Sequence, residues 1–217
     1  MKNGTTELVF ILDRSGSMSG LESDTIGGYN AMLKKQQEES GEAIVTTVLF
    51  DDNYELLHDR TNIKGIKPIT EEEYYVRGST ALLDAIGKTI NKIVNATRHT
   101  AKEHQAENVI FVITTDGMEN ASREYDHHKV KEMIEHQKAR YNWEFIFLGA
   151  NIDAVSTARD IGISEDRAVQ YHADGEGTIL NYNVVSEAII NLRANKEVDA
   201  TWKEAIEKDY ESRQSKR

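Results

Sequence analysis

The feature that most constrains this chain is a series of short apolar runs rich in β-branched and aromatic residues: Leu8–Leu12, Thr46–Phe50, Val109–Thr114, Phe145–Leu148 and Ala168–Tyr171. Strands that are apolar at nearly every position must be covered on both faces, as in a parallel sheet between layers of helices. Helical stripes separate them. Ile26, Tyr29 and Leu33 fall at i, i+3 and i+7, and longer stripes run through Leu82, Ile86, Ile90, Ile93 and Val94, and through Leu180, Val184, Val185, Ala188 and Leu192. The alternation predicts an α/β, Rossmann-like, doubly wound domain with a mostly parallel sheet and helices on both faces.

Phe50–Leu57 departs from that alternation and reads as a strand, a tight turn through Asp51 and Asp52, and a returning strand, which predicts one antiparallel edge strand. Thr61–Tyr75 holds the only proline, Pro68, and three successive glutamates, and is expected to be a surface connection. A helix is expected from Ala81 to about His104, and Gly27-Gly28 is expected to let the first helix pack closely on the sheet. With 217 residues and 39% hydrophobic content, the chain suits one full core. The domain is expected over 1–197, with a helical or partly disordered tail over 198–217 in which Trp202 is an anchor and the last residues are disordered.

Composition removes several classes of function. There is no cysteine, so disulfides, zinc-thiolate sites and thiol nucleophiles are excluded. A net charge of -11 repels a polyphosphate backbone and argues against nucleic acid as a partner. Apolar runs of about five or six residues fall far short of the roughly 20 that a spanning helix needs, so no membrane partner is expected. Met1 to Glu7 leave no room for a charged leader, a hydrophobic stretch and a cleavage site, which points to a soluble, cytoplasmic protein.

The chemistry gathers at the ends of the apolar runs. "DRSGSMSG" follows the first run and sets Asp13, Ser15 and Ser17 at alternate positions, from which extended side chains can converge on one hard cation. "TTDGMEN" puts Asp116 just beyond the run that ends at Thr114, and "RGSTALLDAIG" puts Ser79 and Thr80 at a helix start, where hydroxyls serve as caps. Ligands bind at the carboxyl ends of the strands in open parallel sheets. Asp13, Ser15, Ser17, Thr80 and Asp116 together offer oxygen alone, which suits Mg2+, with Mn2+ or Ca2+ as substitutes. Taken singly, these residues also fit ordinary turns and caps, as do Asp51 and Asp52, and Glu119 is expected to be a solvated loop carboxylate. His127 and His128, adjacent on one helix, and His99 and His104, five apart, make poor chelates.

Asp13-x-Ser15-x-Ser17, Thr80 and Asp116-Gly117, in that order, resemble the three-part metal-ion-dependent adhesion site (MIDAS) of von Willebrand factor type A (vWA) domains, and the likeness of arrangement spans roughly residues 6 to 195. The resemblance implies a vWA fold with Mg2+ at the upper edge of the sheet. It also implies direct contacts from Ser15 and Ser17, carboxylates acting directly or through water, and a Glu or Asp of a protein partner completing the shell. Some members of that family shift their last helix, here Thr178 to about Asn195. Bacterial-type intracellular members work beside AAA-type ATPases or in stress-response systems. The implied function is a non-enzymatic, metal-dependent protein-binding module.

The alternative from another class is a Mg2+-dependent phosphoester hydrolase. It lacks an evident nucleophilic Asp pair and a poised histidine, although Arg14 and Arg77 lie near the motifs.

Overall fold

A computed structural model describes residues 4–214. Its sheet has the order β3-β2-β1-β4-β5-β6, formed by β1 (Thr6–Asp13), β2 (Ala43–Phe50), β3 (Tyr54–Asn62), β4 (Asn108–Thr115), β5 (Glu144–Ala150) and β6 (Ala168–Tyr171). Neighbours run parallel except for the edge pair of β2 and β3, so the expected mostly parallel sheet with one antiparallel edge is the one formed. The helices are α1 (Glu22–Glu38), α2 (Leu82–Arg98), α3 (His127–Tyr141), α4 (Ala154–Asp160), α5 (Gly175–Arg193) and α6 (Glu204–Gln214).

Every residue of β1 is buried, and its side chains divide between two cores. Leu8, Phe10 and Leu12 pack among Tyr29 and Leu33 of α1, Val185 of α5 and Ile206 of α6. Val9 and Ile11 pack on the other face among Ile86 of α2, Ile134 of α3 and Ala158 of α4. At roughly 1.5–3 kcal/mol for each large side chain removed from water, burial on both faces is what makes near-continuous apolar strands stable in the middle of a sheet.

The chain steps from β1 outward through β2 to β3, then crosses back to β4 on the other side of β1 and continues to β5 and β6. Strand order therefore reverses between β1 and β4, which opens a crevice at their carboxyl ends. Asp13 closes β1, and Asp116 directly follows β4.

Three local expectations need correction, and one helix had no expectation at all. Residues 61–75 are not merely a surface connection. After β3 ends they strap across the core, burying Ile63, Ile66, Ile69 and Tyr74, because Asn30 and Gln37 of α1 take up the backbone groups of Ile63, Ile66 and Ile69. The helix from Leu82 stops at Arg98, and Lys102–His104 form a separate tight turn. The short α4 carries too few residues to show a helical period in sequence. Gly28 packs against Tyr182 of α5 rather than against the sheet. At the tail, the Trp202 indole donates to the Asp166 carbonyl (2.8 Å). Of the polar end expected to be disordered, 215–217 lie outside the described residues.

The adjacent glycines of α1 have opposite physical standing. A Cβ at Gly28 would overlap the Tyr182 ring, whereas nothing lies within 4 Å of a Cβ at Gly27. Gly27→Ala should raise stability by about 0.5–1 kcal/mol through helix propensity. Gly28→Ala should lower it by about 1–3 kcal/mol through overpacking. Urea unfolding of the two variants checks this, with opposite shifts in midpoint as the expected result.

Candidate metal centre

The first loop is shaped by its own carboxylate. Asp13 is 1% exposed, and its Oδ1 accepts the Ser15 amide (2.7 Å) while its Oδ2 accepts the Thr115 hydroxyl (2.5 Å). One side chain thus fixes the turn after β1 and ties it to the end of β4. The Tyr74 hydroxyl donates to the Asp13 carbonyl (2.6 Å), and Met18, buried at 1% exposure, anchors the far side of the loop. Ser15 begins the tight turn Gly16–Met18 without capping it. Its Oγ instead lies 3.0 Å from Ser17 Oγ and accepts the Thr80 hydroxyl at 2.9 Å.

Thr80 is likewise not the expected helix cap. The N-cap of α2 is Ala81, and the free amides of Leu83 and Asp84 donate to Glu119 Oε2 (2.9 Å) and Ser122 Oγ (3.0 Å) of the third loop. The Thr80 amide donates to Asn120 Oδ1 (3.0 Å), and its carbonyl accepts the amides of Asn120 and Ala121. Backbone and neighbours are therefore satisfied elsewhere, which leaves the Thr80 hydroxyl directed at Ser15. Glu119, expected as a solvated loop acid, is engaged by Leu83, Ala121 and Ser122 and stitches two loops together.

Asp116 completes the group. It is 2% exposed, and both carboxylate oxygens are buried without a hydrogen-bond partner. A Cβ at Gly117 would stand 2.7 Å from both Ser17 Oγ and Thr80 Oγ1 and 3.6 Å from Ser15 Oγ, so the glycine opens room beside three hydroxyls. The structure brings all five sequence-marked residues to the crevice between β1 and β4.

Burial dominates the electrostatics of the two acids. It pushes the Asp13 carboxyl up to about 6, against the hydrogen bonds from Thr115 and Ser15, with the charge of Asp116 adding to the rise. Burial also raises Asp116, and the nearby Ser17 hydroxyl offsets only part of that rise. Two desolvated carboxylates facing hydroxyls form a set that a hard divalent cation would neutralise. Among the described residues no three His, Cys, Asp or Glu side chains gather as a metal cluster, and this centre has only two such groups, the rest being hydroxyls.

Asp51 holds the neighbouring loop. It is fully buried and accepts Arg14 Nε (3.0 Å), Arg77 Nε (2.7 Å) and the Asn53 amide (2.6 Å). Burial alone would raise its pKa, but Arg77, Asn53 and Arg14 together hold it below the usual carboxylate range. Arg14 also pairs with Glu55 (2.7 Å), so the two arginines nearest the motifs are engaged in ion pairs rather than standing free for a phosphate. Thr115, Tyr74, Met18 and Asn120 had no signal of their own in the sequence. The nearest hint was a Thr-Thr pair ending an apolar strand, where a core position would otherwise prefer a hydrocarbon.

No protein-family model and no curated protein sequence matches the chain. Solved structures do share its fold. The von Willebrand factor domain of the type V pili tip protein Mfa5 from Porphyromonas gingivalis aligns with a TM-score of 0.60 at 11% identity, over 90% of this chain and 98% of that one. Proximal thread matrix protein 1 from the mussel byssus, with a zinc-occupied MIDAS motif, aligns with a TM-score of 0.54 at 16% identity, over 86% of this chain and 46% of that one. The ArnB paralog VWA2 from Sulfolobus acidocaldarius gives 0.54 at 19% identity, over 85% and 44%. The chain thus spans about half the length of the byssus and Sulfolobus proteins. Its fold is that of vWA domains.

Asp116→Asn removes a buried charge that has no partner, so in EDTA at pH 7 it should stabilise the protein by about 1–3 kcal/mol. The wild-type acid has a raised pKa in the folded state, so its penalty is full above that pKa and disappears as pH falls and the carboxyl takes up a proton. The advantage of the variant should therefore shrink toward pH 4, as read by urea unfolding of both proteins across pH.

Proposed function

We propose that this protein is a non-enzymatic, metal-dependent protein-binding module. Asp13, Ser15, Ser17, Thr80 and Asp116 hold Mg2+, with Mn2+ or Ca2+ as substitutes, and the partner contributes a Glu or Asp side chain. The observation that carries this reading is Asp116, a fully desolvated carboxylate with both oxygens unpaired beside three hydroxyls. A fold tolerates such an acid at a cost of a few kcal/mol unless a cation offsets it.

When bound, Mg2+ supplies a strongly polarising centre for oxygen ligands and retains exchangeable positions that an outside carboxylate can take. The chain's own residues account for the rest. Asp13 presets the first loop through Ser15 and Thr115, so the hydroxyls are in place before any ligand arrives. Ser15, Ser17 and Thr80 hold one another within hydrogen-bond distance and contribute no charge, so the two carboxylates would balance a divalent ion without the excess negative charge that would turn away a carboxylate from outside. The bracing of α2 by Glu119 and of the second loop by Asn120 limits the reorganisation that binding would require.

The fold shared with a structure whose MIDAS motif is occupied by zinc supports the same reading. An AAA-type ATPase is one partner class within the proposal, and the cytoplasm is the proposed compartment. Among the described residues no helix is long and apolar enough to cross a membrane.

Thermal unfolding in EDTA and across a Mg2+ titration tests the centre. A ligand bound only by the folded state adds about 2.7 kcal/mol at one hundred times Kd. The wild type should gain stability with Mg2+, and Asp116→Asn and Asp13→Ala should not. Equal gains in wild type and variants, or no gain in wild type, would overturn the proposed metal centre.

A further inference from the structure

Four large apolar side chains stand exposed among the described residues, and three of them, Tyr75, Met118 and Ile179, lie at the carboxyl edge of the sheet around the candidate metal centre. Met118, 75% exposed, directly follows Gly117. The Tyr75 ring is held beside the first loop by the guanidinium groups of Arg14 and Arg77, each 5.3 Å from its centroid. Ile179, 50% exposed, stands in the first turns of α5. Exposed apolar groups gathered at one end of a molecule mark a contact surface.

Ile179 also forms one wall of a groove between α1 and α5, a cavity of about 250 Å3 lined by Ser23, Asp24, Gly27, Gly28 and Tyr182. Gly27 is the anomaly in it. It sits inside a helix, its backbone is not left-handed, and nothing lies within 4 Å of the position a Cβ would take. No turn, close approach or strained dihedral calls for glycine there, and another residue would make the helix firmer. Gly28 is accounted for by Tyr182, whereas Gly27 secures only open space in the groove.

The surrounding charge narrows what would enter. Asp24 lines the groove, and Glu176, whose carboxylate lies 3.7 Å from Arg213, stands exposed at the same edge of the sheet. The Asp24 carboxylate would repel a second acid on a partner and leave an apolar group unopposed.

We propose that this groove receives a large apolar side chain of the same protein partner whose carboxylate goes to the metal centre. The recognised element is then one acidic residue with an apolar residue a short, fixed distance away. The inference rests on the metal-dependent binding proposed above. Gly27 lies ~7.5 Å along α1 from Glu22, the first residue after the loop, a span covered by about two or three residues of extended chain.

Selection of displayed random dodecapeptides on the full chain in Mg2+, with elution by EDTA, tests it. The eluted peptides should share an Asp or Glu and a large apolar residue at one spacing. A labelled synthetic peptide of that pattern should bind Gly27→Leu and Ile179→Ser at least tenfold more weakly than wild type by fluorescence anisotropy. The Mg2+-dependent thermal shift of both variants should match wild type, because neither residue touches the metal centre. Eluted peptides that share an acid but no spaced apolar residue, or equal binding to wild type and Gly27→Leu, would overturn the groove while leaving the metal-dependent module standing. Recovery of no acidic peptide would overturn both.

Discussion

The bidentate role of Asp13 is the interaction on which the site depends. One oxygen takes the Ser15 amide and the other the Thr115 hydroxyl, so a single buried carboxylate fixes the first loop and joins the ends of β1 and β4 where strand order reverses. The desolvation that raises its pKa to about 6 is a destabilising term, and the two hydrogen bonds offset only part of it.

The loops around it are braced by carboxylates that solve the opposite problem. Asp84 accepts the amides of Arg123 (3.0 Å), Glu124 (2.9 Å) and Tyr125 (2.9 Å). Burial acts to raise its pKa, yet those three donors together with Lys88 hold it below the usual carboxylate range. Asp51 with its two arginines is built in the same way, and Glu119 takes the amides of Leu83, Ala121 and Ser122. Asp116, whose two oxygens are buried and unpaired, stands apart from these satisfied acids, and that contrast is what singles it out within the network.

The same contrast applies to glycine. Gly28 gives Tyr182 room between α1 and α5, and Gly117 gives room to three hydroxyls, so each is explained by what a Cβ would strike. Gly27 strikes nothing. A residue that weakens its own helix without improving the packing is expected where a surface must stay open, and its groove lies on the edge of the sheet that carries the candidate metal centre.

The layers and the candidate donors were legible in the chain itself. Apolar runs without alternation demanded a sheet covered on both faces, and Asp13, Ser15, Ser17, Thr80 and Asp116 stood at the ends of the right elements, because strand ends and spacing are local properties of the chain. The contacts of each polar residue, by contrast, were set by neighbours distant in the chain. Thr80 read as a cap until Glu119, from a loop 36 positions away, took the Leu83 amide in its place. The run 61–75 read as surface because it holds the only proline and three successive glutamates, yet its isoleucines are held in the core by hydrogen bonds from Asn30 and Gln37 that no local pattern encodes. The unpaired state of Asp116 and the empty space at Gly27 are likewise properties of neighbours distant in sequence, and distance through space is what a linear pattern does not carry.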